Sequence, residues 1–490
     1  MKFPLPRHPY PSVVLSPRDI QQLDSLTNAL LDQAVAEFED FVHVRNRHVD
    51  TNKWNHLKTR ENMHVYRAVG DHSDDPHLNK LELLMDATTG SELPISRLSM
   101  KGNNRLLGVG SIVGTLPDLL YCASAHNEDE MQIRTSYSND ECVDWRVLHK
   151  LREGSPDNPF RMHAIKWYVK SSPGVTKLVV RPRDCVLLDC VGEMTLPSGE
   201  RIGYFMYHSI NIPGCEPMDG FVRGLISAMY LFRTKGPNTI EVFMRSVCEM
   251  GGNVNDSIAA LSVANGLIAM WKMPWGGQNK KLAWLLKQQR LKGKKPAKPA
   301  KSSQCGLCKK GYSIIRTAAA CELCRQQVCS SCVTVRKISH VRSTRELVQI
   351  STAFCKNCIT QASMLNATEI AHQEFVEKEL HSRISSSVSS SGSRDASQTP
   401  NSSGSWTSRT APHGVDSSTV SIETEEDWER QYQVGYKVSS GESSLVSQPS
   451  PASMDPHKMH LVAQMSQLRL AAEQTYQITK ENEQVMNRAQ

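Results

Sequence analysis

Eight cysteines stand in four CxxC pairs between residues 305 and 358, and this cluster constrains the fold more than any other feature of the sequence. Two thiolates at this spacing can hold one metal ion from a tight turn, and two such turns complete a closed tetrahedral site. The eight thiols therefore predict two four-thiolate metal sites, with no ligand position left open for catalysis. A segment of about 55 residues with so few large apolar side chains needs such cross-links to fold. The pairs are Cys305 and Cys308, Cys321 and Cys324, Cys329 and Cys332, and Cys355 and Cys358.

The intervals between the pairs distinguish among zinc-binding folds. Only the four residues 325–328 separate the second pair from the third, whereas a RING domain has two there and usually a histidine ligand. The pattern C-x2-C-x12-C-x2-C-x4-C-x2-C-x22-C-x2-C resembles a FYVE-type zinc finger over residues 304–360, with Gly311-Tyr312-Ser313 at the family's Gly-Phe-Ser-like turn. The resemblance implies two structural zinc ions held by interleaved pairs. Zinc 1 would be held by Cys305, Cys308, Cys329 and Cys332, and zinc 2 by Cys321, Cys324, Cys355 and Cys358.

The lipid-recognition motif of that family is degenerate here. FYVE fingers recognise phosphatidylinositol 3-phosphate with a basic RRHHCR stretch around the third cysteine, and this chain has Thr317-Ala318-Ala319-Ala320-Cys321-Glu322 instead. The family's W-x-x-D element is absent, and Ala353 replaces the arginine of its RVC motif. Phosphate recognition needs converging cations and hydrogen-bond donors. We therefore expect an intact zinc scaffold with a lost phosphoinositide pocket, which makes the finger a structural or protein-binding module.

The positive charge of the chain is concentrated in one region. The 57 Lys/Arg and 50 Asp/Glu give 57 − 50 = +7, and residues 257–321 hold 13 Lys/Arg with no acid, so the remainder sums to 7 − 13 = −6. This balance argues against a uniformly basic nucleic-acid binder, and no nucleic acid is expected as a partner. The length of 490 residues and the apolar share of 39% predict two or three domains with some unfolded chain.

The sequence also predicts an intracellular protein. No apolar run approaches the roughly 18 residues of a membrane span. Prolines interrupt residues 1–15, which are expected to be loose, where a signal peptide has an unbroken apolar stretch. A cytoplasmic protein, or one peripheral on endomembranes, keeps its thiols reduced. The six cysteines outside the cluster lack metal-ligand spacing and are interpreted as buried thiols. They are Cys122, Cys142, Cys185, Cys190, Cys215 and Cys248.

The region before the cluster mixes helices with many strands. Ser16, followed by a proline and by Asp19, predicts a capped helix over residues 17–46. Short segments rich in β-branched and aromatic residues predict a mainly β region from 52 to about 250. Leu116–Ser124 and Asp144–Leu151 are predicted as short helices. Ile258–Trp271 is apolar on nearly every face and predicts a buried helix.

Several short motifs in this region resemble the START domain, an α+β helix-grip lipid-binding fold with an antiparallel sheet around a long C-terminal helix. Arg181-Pro182-Arg183-Asp184 opens a strand, the next strand carries His208, and Phe221-Val222-Arg223 follows. Earlier motifs are Trp54 with Glu61–Arg67, and Gly108–Leu120. The resemblance covers about residues 16–275. It implies a lipid or another apolar small molecule in a cavity under helix Ile258–Trp271.

The matched motifs are interpreted as structural. Arg183, Asp184 and Arg223 are expected to form turns and salt bridges, and His208 to be a hydrogen-bonded strand histidine. The glycines of Gly108-x-Gly110 fail the dinucleotide fingerprint because Val113 occupies the third position. A P-loop, an HExxH motif and a GxSxG motif are also absent from the sequence. We therefore predict a non-enzymatic protein.

The remaining segments leave several alternatives open. Residues 276–303 are predicted as a basic linker, with nine Lys/Arg between Lys280 and Lys301. This run could contact an anionic membrane, with Trp275, Trp284, Leu285 and Leu286 inserting beside it, act as a nuclear localisation signal, or be a solvated linker.

A short helix over 361–383, a Ser-rich disordered segment over 384–454 and a terminal helix or coiled coil over 455–490 complete the expected order. Protein partners are expected. The alternatives to a lipid binder are an adaptor that uses the finger and the terminal helix, and a protein targeted to endosomal membranes through the linker and finger.

Overall fold

The structure is a computed structural model that describes residues 3–6, 9–69, 104–171, 181–252, 256–291, 302–313, 317–342 and 344–389. The chain divides into two compact units, Met1–Glu429 and Arg430–Gln490. The second unit lies wholly outside the described residues. The predicted terminal helix over 455–490, and residues 390–454 of the predicted Ser-rich segment, also fall outside and stay predictions.

The first helix, α1, spans Pro17–Glu39 and begins at the predicted cap. The Asp19 backbone N–H donates to Ser16 Oγ at 3.2 Å, and the Ser16 N–H donates to the Asp19 carboxylate at 2.9 Å. These two bonds satisfy donors that the first turn leaves free. A π-helical turn, Asp40–Val44, follows α1, so the regular helix ends earlier than predicted. Asn46 and Arg47 have positive φ angles of 48° and 63°, which ends the helical path.

A ten-stranded sheet forms the centre of the domain, in the order β1-β2-β3-β10-β9-β7-β6-β5-β4, with the short β8 paired to β6. All pairings are antiparallel except that of β8 with β6. The strands are β1 Trp54–Arg60, β2 Met63–Ala68, β3 Arg105–Val113, β4 Cys142–Arg152, β5 Met162–Lys170, β6 Arg183–Thr195, β7 Arg201–Ser209, β8 Val222–Arg223, β9 Leu225–Gly236 and β10 Thr239–Glu249.

Different helices pack against the two faces of the sheet. Alternate strand residues such as Trp167, Leu188 and Leu231 belong to one large core together with the apolar face of α1. Because successive strand side chains point to opposite faces, their neighbours Tyr168, Leu187 and Tyr230 lie on the other face. Helices α2 (Leu116–Ala123), α3 (Glu128–Ser138) and α4 (Asp256–Ile268) cover that second face. We call it the covered face.

One predicted helix is wrong. Residues 144–151, predicted to be helical, lie in strand β4, which pairs with β5 through three register shifts. Trp145 and Leu148 are both buried although they stand three residues apart, which is the spacing of a helix face. In the strand they point to opposite faces, Trp145 into the core on the covered face and Leu148 into the core on the α1 side, and both are buried because both faces of the sheet are covered.

The basic linker predicted over 276–303 is helical in its first half. A 3₁₀ turn, Ala269–Lys272, joins α4 to helix α5, Met273–Leu291. α5 lies close against α2: a Cβ added at Gly277 would stand 2.0 Å from the Asp118 carbonyl oxygen, and one at Gly276 would stand 2.4 Å from Cys122 Sγ. The nine Lys/Arg and two prolines between residues 280 and 301 predicted a linker, but Gly276 and Gly277 permit a close approach of two helices. Residues 292–301 lie outside the described part.

The cysteine-rich segment forms two hairpins and two helices. Strands β11 (Ala318–Ala320) and β12 (Gln327–Cys329) pair, as do the longer β13 (Val333–Val341) and β14 (Leu347–Cys355). Helix α6 spans Lys356–Met364, and helix α7 spans Ala367–Ser389, slightly beyond the predicted end. α7 packs back on α2 and α5. Within the described residues, no helix combines the length and the apolarity needed to cross a bilayer.

Candidate functional site

The fold assembles the eight clustered cysteines into two groups of four. The first group contains Cys305, Cys308, Cys329 and Cys332, and the second contains Cys321, Cys324, Cys355 and Cys358. In each group all four sulfurs lie within 4.8 Å of one another. The groups therefore combine the first CxxC pair with the third, and the second with the fourth. All fourteen cysteines of the chain are unbridged.

The spacing of the sulfurs fits a metal tetrahedron. Cys308 Sγ lies 3.7 Å from Cys329 Sγ, and Cys324 Sγ lies 3.8 Å from Cys355 Sγ. Four sulfurs at a Zn–S bond length of about 2.3 Å stand roughly 3.8 Å apart in a regular tetrahedron. Disulfide sulfurs would stand about 2 Å apart. The donor set of four soft thiolates matches zinc.

Backbone donors stabilise the thiolate form in both groups. Cys305 Sγ accepts from the backbone N–H groups of Cys308, at 3.5 Å, and Cys329, at 3.3 Å. Burial raises the pKa of Cys305, but these donors lower it to about 6. A hydrogen bond from Cys358 and backbone N–H groups lower the pKa of Cys321 to about 4. Burial raises the pKa of Cys332 in the first group to about 12 and that of Cys324 in the second to about 11, so metal binding would release the protons of these thiols.

The thiol groups share a hydrophobic core with helix α5. Leu282 and Leu286 of α5 belong to the same buried cluster as the ligand cysteines, together with Ile338 and Phe354. Cys355 also caps α6, because its thiol accepts from the Cys358 N–H at 3.4 Å. Helix α5 therefore contributes both to the N-terminal domain and to the core of the finger.

Residues 317–322, which align with the basic motif of FYVE fingers, include no cationic side chain. The stretch Ala318–Ala320 forms strand β11, and Glu322 forms an ion pair with Arg325 at 2.5 Å. Residues 314–316, which precede it, lie outside the described part. Among the described residues at this position, the charged side chains are Glu322, which would repel a phosphate, and Arg325, which is already paired with Glu322.

Helix α4 crosses the covered face of the large sheet. Tyr230 Oη on β9 donates to the Leu267 carbonyl at 3.0 Å, and the guanidinium of Arg60 on β1 stands 5.1 Å from the centre of the Trp271 ring. A Cβ at Gly266 would lie 2.6 Å from Lys170 Nζ on β5. The helix and the turn after it therefore reach from an edge strand across the centre to β5. The predicted cavity under Ile258–Trp271 stays a prediction, because residues 253–255 and the Ile258 side chain lie outside the described part.

A group of buried charged side chains lies on this covered face, and the sequence did not predict it. Lys166 Nζ stands 3.0 Å from Asp189 and donates to the Ala125 carbonyl at 2.8 Å. Arg134 of α3 lies 4.0 Å from Asp189 and donates to Tyr168 Oη at 3.0 Å. Burial lowers the pKa of Lys166. The available signal was a lysine and an aspartate inside otherwise apolar strands, on the same face by strand alternation.

Two polar atoms of this network have no hydrogen-bond partner. Asp189 Oδ1 and Arg134 Nε are both enclosed, and neither is satisfied within the described residues. Burying a polar group without a partner is costly, so such atoms are where a water molecule or a ligand group is expected. The network therefore places a small group of polar atoms on the otherwise apolar covered face.

The residues of the START-like motifs lie on the other side of the sheet. Arg223 Nη2 stands 2.9 Å from Asp184, and Trp167 Nε1 donates to the same carboxylate at 3.0 Å, on the α1 side. Arg183 donates to the Arg181 carbonyl at 2.7 Å. His208 Nδ1 lies 3.0 Å from Ser227 Oγ. Asp184 and Arg223 thus form the expected salt bridge, and His208 has the expected hydrogen bond.

The six cysteines outside the cluster are free thiols, and burial raises their pKa values. The pKa of Cys122 is raised to about 11 and those of Cys185 and Cys248 to about 12. A thiol with so high a pKa is a poor nucleophile at neutral pH. Five of the six are buried and Cys185 is partly exposed, which agrees with the predicted packing role.

No family model matches the chain. No curated protein matches it either. Among solved structures it is similar to human StAR-related lipid transfer protein 5, at 14% identity over 51% of this chain and 96% of that one, with a TM-score of 0.34. It is also similar to human STARD10, at 14% identity over 53% of this chain and 85% of that one, with a TM-score of 0.32. A third similar structure is the lipid transfer and protein localization domain of human StarD13 (DLC2), at 13% identity over 54% of this chain and 96% of that one, with a TM-score of 0.29.

Proposed function

We propose that this chain is a non-enzymatic lipid-binding or lipid-sensing protein. A START-like domain would hold a lipid, or another apolar small molecule, and a FYVE-related finger would act as a structural module with two zinc ions. The observation that carries the proposal is the placement of α4 across the face of an antiparallel sheet that contains a buried charge network with two unpaired atoms. An apolar site with a few converging polar groups suits an amphipathic ligand.

Native mass spectrometry of the full chain tests both halves of the proposal, with the denatured mass as reference. We expect two zinc ions and a lipid-sized adduct. Two zinc ions without an adduct, even after incubation with mixed lipid extracts, would reject the lipid binder and favour the adaptor. Loss of the zinc ions without loss of the lipid would reject only the finger assignment.

A variant at Gly266 sharpens the test of the ligand site. In Gly266→Leu a side chain would project from α4 towards Lys170, whose flexible end can move, and leucine favours a helix more than glycine does. We expect the variant to keep its fold and lose most of the lipid adduct. The matched control is Gly236→Leu, because a Cβ at Gly236 meets nothing within 4 Å. Equal retention of lipid by Gly266→Leu and wild type would contradict the proposed site.

We also propose that the basic segment contacts an anionic membrane, but through fewer residues than the whole range 276–303. Lys281 is buried, and Trp275 packs on the Tyr137 ring at 5.6 Å, so these side chains do not reach a bilayer surface while the helix stays packed. Contact with an anionic membrane would use Lys287, Arg290 and residues 292–301. Flotation with vesicles containing phosphatidylserine should weaken when the lysines of 292–301 become glutamine. We place the protein in the cytoplasm, in part peripheral on endomembranes.

A further inference from the structure

A cavity of about 520 Å³ lies where the finger meets the N-terminal domain, away from the covered face. Helix α5 lines one side with residues at helical spacing, including Lys280, Trp284 and Lys287. Helix α7 lines the other side with Glu374, Phe375 and Lys378. Strand β13 and helices α2 and α3 close it. We call this space the junction cavity. Its volume is within the usual range for small-molecule sites, which favour domain interfaces.

Two ring nitrogens in the wall of the junction cavity lack partners. Trp284 Nε1 and His126 Nδ1 are enclosed and make no hydrogen bond within the described residues. Burial lowers the pKa of His126 to about 4, so the ring is neutral at pH 7 and adds no charge. Buried polar atoms are normally satisfied by protein, water or ligand. Both atoms belong to side chains that line the same space.

The charged side chains around the junction cavity do not balance. Four cations line it and only two acids do, Glu130 and Glu374. Glu130 is fully engaged: Lys378 Nζ lies 3.0 Å from one oxygen, and the backbone N–H of His126 donates to the other at 2.9 Å. Lys287 pairs with Glu377 at 3.0 Å, just outside the lining. Arg290 is exposed and makes no ion pair among the residues that the structure describes. The lining is thus net positive.

The remaining lining is apolar or aromatic. Trp284, Phe375, Ile133 and Leu291 present flat or aliphatic surfaces to the same space. The His126 ring stands edge-on to Phe375 at 5.3 Å between ring centres, which fixes one wall. An apolar wall with cations at its rim selects a molecule that has both an apolar body and an acidic group.

We infer that the junction cavity is a second ligand site, specific for an amphipathic anion whose apolar body lies against Trp284 and Phe375 and whose carboxylate, phosphate or sulfonate meets Arg290. The inference does not depend on the lipid site proposed for the covered face. Such a ligand would contact both the finger and the N-terminal domain, because α5 packs on both and the lining includes β13 of the finger together with α2 and α3. Occupancy would therefore bind the two parts more tightly together.

The test uses the zinc-loaded full chain and two matched probes. The anion 1-anilinonaphthalene-8-sulfonate and its uncharged relative N-phenyl-1-naphthylamine share an aromatic body and differ in the acidic group. We expect Arg290→Gln to lower the affinity for the anionic probe roughly tenfold, because a charged hydrogen bond is lost, and to leave the affinity for the neutral probe unchanged. Lys337→Gln is the control, because Lys337 is exposed on β13 and lies outside the lining. Affinity for the anionic probe that is the same in wild type and Arg290→Gln would overturn the charge assignment.

A second variant tests the location. Ala283→Trp adds bulk to the α5 wall and should remove the anionic probe from this site while lipid retention at the covered face stays the same. If this variant loses its zinc or its helical circular dichroism, Arg290→Gln decides alone, since its side chain is exposed. Displacement of the probe by 1-naphthyl phosphate would identify a soluble anion as the ligand source, and displacement only by phosphatidic acid vesicles would identify a lipid. Unchanged probe binding in both variants would reject the site.

Discussion

The Lys281 ammonium lies 2.7 Å from a carboxylate oxygen of Asp118, and both side chains are only 1% exposed. The same ammonium donates to the Ser363 carbonyl at 3.1 Å and to the Leu365 carbonyl at 3.0 Å. One charged group therefore connects helix α2 of the N-terminal domain with the end of α6 in the finger. Removing one partner of a buried pair leaves the other charge uncompensated.

We predict that Lys281→Met lowers the free energy of unfolding by about 3 to 5 kcal/mol. Urea denaturation followed by circular dichroism measures it. Lys287→Met is the matched control on the same helix, because the Lys287–Glu377 pair is largely exposed and should contribute under about 1 kcal/mol. Equal losses in the two variants would show that the buried pair has no special role.

Removal of zinc should destabilise the N-terminal domain as well as the finger. Without metal the finger core is expected to unfold, which exposes Leu282 and Leu286 and removes two hydrogen-bond acceptors of Lys281. We expect a strong chelator to lower the thermal midpoint of the N-terminal domain by roughly 5 to 10 °C. Near-ultraviolet circular dichroism follows it, with re-addition of zinc as the control. An unchanged midpoint would mean that the two parts are energetically independent.

The contact between Asp184 and Arg223 should be structural. The Asp184 side chain is fully enclosed and accepts from Arg223 and from the Trp167 indole, far from the covered face. Arg223→Met should cost about 3 kcal/mol or more in stability, while the affinity for a bound lipid stays the same. Chemical denaturation and a lipid-binding titration separate the two effects. Arg181→Met, at an exposed position of the same motif, should change neither. Loss of lipid affinity at unchanged stability would assign these residues to the ligand site instead.

Acid should destabilise the N-terminal domain through buried histidines. Burial lowers the pKa of His208 to about 4, as it does for His163. Because the unfolded chain takes up protons at an ordinary pKa near 6.5, the stabilisation is present above that pH and is lost as the pH falls from about 6.5 to 4. For the fully buried His208 this loss is at most roughly 3 kcal/mol.

The difference between wild type and His208→Gln isolates this effect from acid release of zinc, which both proteins share. We expect the unfolding free energy of the variant to fall less steeply between pH 7 and 4. His372→Gln, at an exposed position, serves as the control and should follow the wild type. Parallel curves for wild type and His208→Gln would contradict the prediction.

Local sequence signals gave much of the fold. The capping serine fixed the start of α1, and runs of β-branched and aromatic residues marked strands β6, β7 and β10. The regular CxxC spacing indicated two four-thiol groups. These signals succeed because a cap, a strand pattern and a metal knuckle each depend on residues within a few positions of one another.

The sequence misled where long-range contacts override local character. The stretch around Asp144 has helical spacing, yet pairing with β5 makes it a strand. The basic segment around Lys281 has the composition of a linker, yet α2 and the finger enclose it as a helix. In both places the free energy comes from partners distant in the chain, which composition does not reveal.

The sequence by itself determined the thiol donors, the capped first helix, the strand-rich domain and the excess of cations in one region, because these follow from local periodicity and counting. Only the tertiary structure decided that α5 belongs to two cores, that Lys166, Asp189 and Arg134 meet on the covered face, and that a cavity forms at the junction. Each of these arrangements joins side chains from strands and helices far apart in sequence. Their distances depend on strand order and register, which no single segment encodes.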